Sequence, residues 1–260
     1  MRRQTISSVF IKFVASLGFS MALVAGSLQA DSLVVQPAQL NLSATKPVSD
    51  LLLRNDATEE RTIHVEINSW NQASGIDQLV PSGKLIVHPE TVRLRPGETA
   101  RVRVGLKLSG PLWEEQAFQV ILKEVSRIPD VGSASSSSES RVVGRSGVPV
   151  FLLPPGKVNP RMSWLVSRSP NGSVTLKASN SGGAHIQLHS AILSGPNGQR
   201  IDMHNLSAVI LPGGSRSWSL MDGAVGGLWQ LTAETNAGPI QAELELDPNL
   251  ASSASLSLAD

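Results

Sequence analysis

The 260-residue sequence predicts an all-β protein built of two immunoglobulin-like β-sandwiches. Period-two alternation is plain in several stretches, which marks strands with one face on a core and the other toward water. Short apolar runs recur in two sets of about seven, separated by turn residues, as two sandwiches require. No long stretch has the period of an amphipathic helix.

Residues 1–30 stand apart from the fold. A basic start (Arg2, Arg3, Lys12), an apolar run from Phe13 to about Gly26 and a small residue, Ala30, have the layout of a secretory signal peptide. The apolar run falls short of the ~20 residues of a spanning helix, which points to a cleaved leader rather than an anchor. Removing three basic residues from 22 leaves 19 against 21 acidic ones, a net −2. The basic pI of the whole chain therefore says nothing about nucleic acid, and no nucleic-acid partner is expected. No later segment is long and apolar enough to insert in a membrane, and there is no cysteine, so the exported protein depends on its cores and not on disulfides.

The first sandwich is expected over residues 31–155. In "RTIHVEINSW", Ile63, Val65 and Ile67 alternate with His64, Glu66 and Asn68. In "TARVRVGLKL", Ala100, Val102, Val104 and Leu106 alternate with Arg101 and Arg103. "EQAFQVILKEV" is more continuously apolar and reads as an inner strand. A serine-rich loop follows at 129–141. The strand "SGVPVFLLPPG" after it carries Pro149 among apolar residues. Proline gives no N–H to a ladder, so this strand is expected at a sheet edge, at a bulge or where the chain pairs on one side only; at an edge it could pair with another chain. "PPGKVNPR" then marks a junction, and the second sandwich is expected over 156–250 in "MSWLV", "SVTLKAS", "HIQLHSAIL", "LSAVIL", "SRSWSL", "GLWQLTAE" and "PIQAELEL". Residues 251–260 show no partner pattern and are expected to form a flexible tail.

The residues give little support to catalysis. His185 and His189 have a metal-ligand spacing only on a helix; on a strand they would lie ~13 Å apart, so no metal is expected there. There is no nucleophile elbow around any serine and no phosphate-binding glycine loop. Gly182–Gly183 and Gly213–Gly214 read as sandwich turns. No enzyme and no cofactor is expected.

On "HPETVRLRPGETARVRV" (88–104), with Pro89, Leu94, Pro96, Gly97, Val102 and Arg103, the chain resembles the periplasmic chaperones of the bacterial chaperone–usher pilus pathway, the PapD-like family, in a divergent branch. "LLLRNDATEERTIHVEINSW", "ASNSGGAHIQL" and "LPGGSRSW" extend the resemblance over nearly all the mature chain. It implies two immunoglobulin-like domains set at an angle and a periplasmic location. The partners it implies are pilus or other surface-fibre subunits and an outer-membrane usher. It also implies donor-strand complementation, in which the chaperone's G strand, here residues 140–153, completes a subunit that lacks its own last strand. The donor positions would be Val142, Gly144, Val148 and Val150.

The anchor that grips a subunit's terminal carboxylate in the best-known branch is not retained, because its two positions are occupied by Pro37 and Pro149. Arg145 and Arg141 share the parity of position 149 along an unbroken strand and are the candidate carboxylate anchors, with Arg54 or Arg161 as neighbours. Glu115 matches a glutamate that pairs across the domain junction, but its arginine partner is replaced by Leu153. An open apolar edge would also allow self-association. Two other readings stay open: a structural or adhesive surface-fibre protein with two immunoglobulin-like domains, and a family chaperone serving a non-pilus secreted client.

Overall fold

The computed structural model describes residues 33–107, 110, 112–127, 140–169, 173–204, 206, 208–220, 226–246 and 252–255. The expected signal segment and most of the serine-rich loop lie outside these residues. No helix among them is long and apolar enough to cross a membrane.

The first sandwich faces one sheet against another. One sheet joins β1 (Leu33–Gln36), β3 (Val48–Asn55), β8 (Thr99–Leu106) and β6 (Leu85–His88) in that order. The other runs β2 (Leu40–Ser43), β10 (Ser140–Leu153), β9 (Gln116–Arg127), β4 (Arg61–Ala73) and β5 (Ile76–Pro81), with β7 (Thr91–Leu94) also on β4. The alternation seen in the sequence decides which side chains turn inward. Ile63, Val65 and Ile67 of β4 meet Val102 and Val104 of β8 in one core, joined by Phe118, Val120 and Leu122 of β9. β9 is the central strand that its continuous apolarity predicts, paired with β10 on one side and β4 on the other.

The second sandwich repeats the plan. One sheet holds β16 (Ser215–Ser219), β12 (Val174–Asn180), β11 (Met162–Arg168) and β19 (Ser252–Ser255). The other holds β14 (Arg200–Met203), β13 (Ile186–Ser194), β17 (Gly227–Thr235) and β18 (Ile240–Leu246), with β15 (Ala208–Ile210) on β13. Trp164, Leu176, Leu188, Leu193, Trp229, Leu231 and Leu244 build its core. One expectation changes here: Ser252–Ser255, in the segment read as a loose tail, pairs antiparallel with Ser163–Val166. A ladder is made by backbone groups and needs no apolar pattern, so a serine–alanine segment can cover an edge without announcing itself.

The same turn device appears in both sandwiches. Asn55 is fully buried; its Nδ2 donates to the carbonyls of Glu59 (2.7 Å) and Leu94 (3.0 Å), and its Oδ1 accepts from Ala57 N–H. Asn180 does likewise, donating to Ala184 (2.7 Å) and Ile210 (3.2 Å) and accepting from Arg161 and Gly182. Each asparagine carbonyl takes the N–H of a glycine in a Pro-Gly turn, Gly97 (2.7 Å) and Gly213 (2.8 Å). Both glycines have φ above +70°, a region L side chains rarely enter. Buried amides cost free energy unless paired, and these use every polar atom.

Candidate functional site

β10 is the strand on which the site rests. It pairs with β9 along its length, whereas β2 covers its outer side only from Val150 to Leu153. From Ser140 to Pro149 the outer side has no partner among the described residues. Pro149 therefore sits at the last position before the cover begins, on the edge that its missing N–H requires.

The structure divides the expected donor positions. Val148 (5% exposed) and Val150 (0%) are committed to the core of the first sandwich. What they can offer a partner is backbone. Val142 and its neighbour Val143 stand 51% and 57% exposed, and Gly144 is half-buried. The register with β9 shifts between Val142 and Gly144, so Val143 is an extra, bulged residue.

That bulge overturns one expectation. Position 141 opposes Ser126 and position 145 opposes Lys123, which are of opposite parity on β9. The two arginine positions therefore fall on opposite faces, not on one. Arg145 is exposed, with no ion-pair partner among the described residues, beside Lys123, which bonds Glu66 at 2.6 Å. Arg54 is engaged by Asp56 at 2.8 Å. Pro37, just after β1, lines a shallow depression with Gln36, Asp50, Leu52 and Arg101, and Arg101 lies 3.5 Å from the Asp50 carboxylate. Sequence reading passed over Arg101 as an outward residue of an alternating strand.

Beside this edge the two sandwiches meet in a small apolar cluster of Trp70, Ala117, Phe151 and Leu211. Polar clasps flank it. Arg216 donates from Nη2 to both Asp77 oxygens (2.6 Å each) and from Nη1 to the Gly75 carbonyl (3.0 Å). Asp77 also accepts from the Trp70 indole (2.8 Å) and from Gln72 (3.1 Å). Burial alone would raise the Asp77 carboxyl, but these hydrogen bonds and the Arg216 charge together hold it below its ordinary 3.8. Gln72 donates to the Val209 carbonyl (2.8 Å) and accepts from Leu211 N–H (3.0 Å). A Cβ on Gly214 would run into the Gln72 amide, and one on Gly182 into the backbone of Asn159 and Arg161. Both glycine pairs read as turns thus also let the junction close.

On the other flank lies Glu115, buried at 5% exposure. Its partner is His185, whose Nδ1 lies 2.6 Å from Glu115 Oε1 and whose ring stacks on Phe151 at 3.7 Å and 3°. Position 153, where the resemblance puts the partner, holds an apolar side chain; the contact comes instead from the second sandwich.

Among the described residues no group of acidic and histidine side chains could hold a metal ion. Two immunoglobulin-like sandwiches meet in a buried junction, and the outer side of β10 stays open beside it among the described residues. Residues 32–158 match the family model of pili and flagellar-assembly chaperones, PapD N-terminal domain. The match identifies the first sandwich with the N-terminal domain of PapD-like chaperones and supports a chaperone role in pilus assembly. No curated protein matches it at the sequence level.

Solved structures share the fold at low identity. A chain of the CsuC–CsuE chaperone–tip adhesion subunit pre-assembly complex from Acinetobacter baumannii is 15% identical at a TM-score of 0.60, covering 83% of this chain and 99% of that one. The E. coli chaperone DraB is 22% identical at 0.52, covering 83% and 97%. A chain of the Salmonella enterica SafA pilin–SafB chaperone complex is 16% identical at 0.53, covering 82% and 96%.

Proposed function

We propose that the protein is a periplasmic chaperone that holds pilus subunits by donor-strand complementation and passes them to an outer-membrane usher. The observation that carries this reading is the uncovered outer side of β10 from Ser140 to Pro149, with Val142 and Val143 exposed on it. An unpaired row of backbone groups next to apolar side chains is a template for another strand. A subunit lacking its last strand would satisfy those groups and cover both valines. The solved relatives that contain a pilin or a tip adhesion subunit favour such a partner. Export would be directed by residues 1–30.

In this reading Val142, Val143 and Gly144 meet the subunit, while Val148 and Val150 present backbone from a fixed core. With Pro37 and Pro149 unable to hold a carboxylate, Arg145 is the anchor on the exposed face, while position 141 falls on the other. Self-association through the same edge would have to overcome the bulge at Val143 and the Arg145 charge. The test is affinity capture of the tagged protein from the periplasm, with mass spectrometry of what accompanies it. A stoichiometric small partner that aggregates when made alone is expected. A clean monomer with neighbouring genes expressed overturns the reading, and unchanged capture by Arg145→Ala removes that residue from the anchor.

A further inference from the structure

The junction around His185 is more specific than a close fit. Its side chain is 10% exposed and that of Glu115 3%. A buried carboxylate without a donor would be costly. Glu115 Oε1 receives two contacts from one residue, the His185 ring at 2.6 Å and the His185 backbone N–H at 3.3 Å, while Glu115 N–H donates to the Gly183 carbonyl at 2.9 Å. The start of β9 and the start of β13 are thus stitched together in both directions.

The proton on the ring follows from the far side. Gln187 N–H donates to Asn236 Oδ1 at 2.8 Å, which turns the Asn236 amide so that its Nδ2 faces His185 Nε2 at 3.4 Å. An amide nitrogen is a donor only, so Nε2 is placed to accept at this contact. The proton is then on Nδ1, directed at Glu115. The chain of contacts runs from Gln187 through Asn236 and His185 to the carboxylate.

Phe151 completes the arrangement. It belongs to β10, two residues beyond Pro149, and the imidazole lies flat on it. One side chain of the second sandwich therefore touches the strand that carries the open edge and the carboxylate that precedes β9.

We propose that His185, stacked on Phe151 with its Nδ1 directed at Glu115, is the positioning residue that fixes the angle at which the second sandwich meets the open edge of β10. Its consequence for subunit capture rests on the proposed function. The geometric inference does not, and it is tested on the free protein, so the two fail separately. A residue that merely filled space would be replaced by phenylalanine without effect; a positioning residue would not, because the donor to Glu115 is lost while the stack is kept.

The absence of cysteine from the chain makes the measurement direct. Exposed Glu60 and Glu243, one in each sandwich, are changed to cysteine, spin-labelled, and their distance distribution recorded by pulsed electron resonance. The parent protein is expected to give one narrow distribution. His185→Phe should broaden it and shift its mean, and His185→Gln, which keeps a donor and an acceptor, should recover part of the narrow distance. A distribution unchanged in His185→Phe overturns the proposal. Should that variant fail to fold, Glu115→Ala, which removes the acceptor and leaves the ring on Phe151, is labelled at the same two sites: a broadened distribution is expected, and an unchanged one overturns the proposal.

Discussion

Replacing Val142 and Val143 together by lysine separates folding from subunit capture. The two side chains are 51% and 57% exposed, so about half of each remains for a partner to cover. Full burial of a valine-sized side chain is worth ~1.5–3 kcal/mol, so the uncovered halves supply about 1 kcal/mol each. Losing both weakens capture by roughly 2 kcal/mol, a factor of about 30 in Kd. Lysine adds to this, since its ammonium must stay in water beside the new strand. The fold should barely register the change, because exposed positions away from special features alter stability by about 0.5 kcal/mol or less. The assay is titration of the purified variant with a pilus subunit identified by capture, with thermal melts of the free protein in parallel. Capture unchanged at equal stability would refute the placing of the subunit on this edge.

Acid should loosen the clasp between Asp77 and Arg216. The Asp77 carboxyl is held below its ordinary 3.8 in the folded protein, so its contribution is complete above that value and is lost as pH falls through the lowered one. Asp77→Asn is therefore expected to melt earlier at neutral pH and to show a flatter acid limb below pH 4; identical limbs would show that the clasp contributes nothing. Gly182→Ala should destabilise by ~1–3 kcal/mol, because its Cβ meets backbone atoms of Asn159 and Arg161 that cannot turn aside. Gly156→Ala, with open space around the new methyl, is the control and should leave a urea melt in place.

Much of this architecture is legible in the sequence because strands with one buried face carry a local signal. Ile63, Val65 and Ile67 announce β4, and Val102 and Val104 announce β8, without reference to their partners. Pro149 announces an edge by what it lacks. The bulge at Val143 carries no such mark: it is a relation between two strands, and without it Arg141 and Arg145 seem to share a face. His185 was hidden for a like reason. Its partners Glu115 and Phe151 are distant in sequence, and the residue at position 153, where the resemblance directs attention, is not the one that answers Glu115. Junction geometry is set by two finished cores, so no window of the chain contains it.

If β10 takes a subunit strand as proposed, the composition of its open edge decides where the free energy of capture comes from. Fourteen residues form β10 and four are covered by β2, leaving ten along the free side. Gly144, Arg145, Ser146 and Gly147 follow the valine pair, so side chains can fill a partner's groove over a short stretch only. The backbone must supply the rest. Some five to ten ladder hydrogen bonds, at ~0.5–1.5 kcal/mol net apiece, amount to several kcal/mol, more than the roughly 2 kcal/mol from the valines. A ladder of that kind reads a partner's unpaired edge and not its sequence. The bulge and the free Arg145 cation add what the ladder lacks, since bulges and charges on an edge disfavour pairing with a second, identical edge. In this arrangement the uncovered strand discriminates by what it refuses: a copy of itself brings a second bulge and a second arginine, whereas a fold missing one strand brings neither.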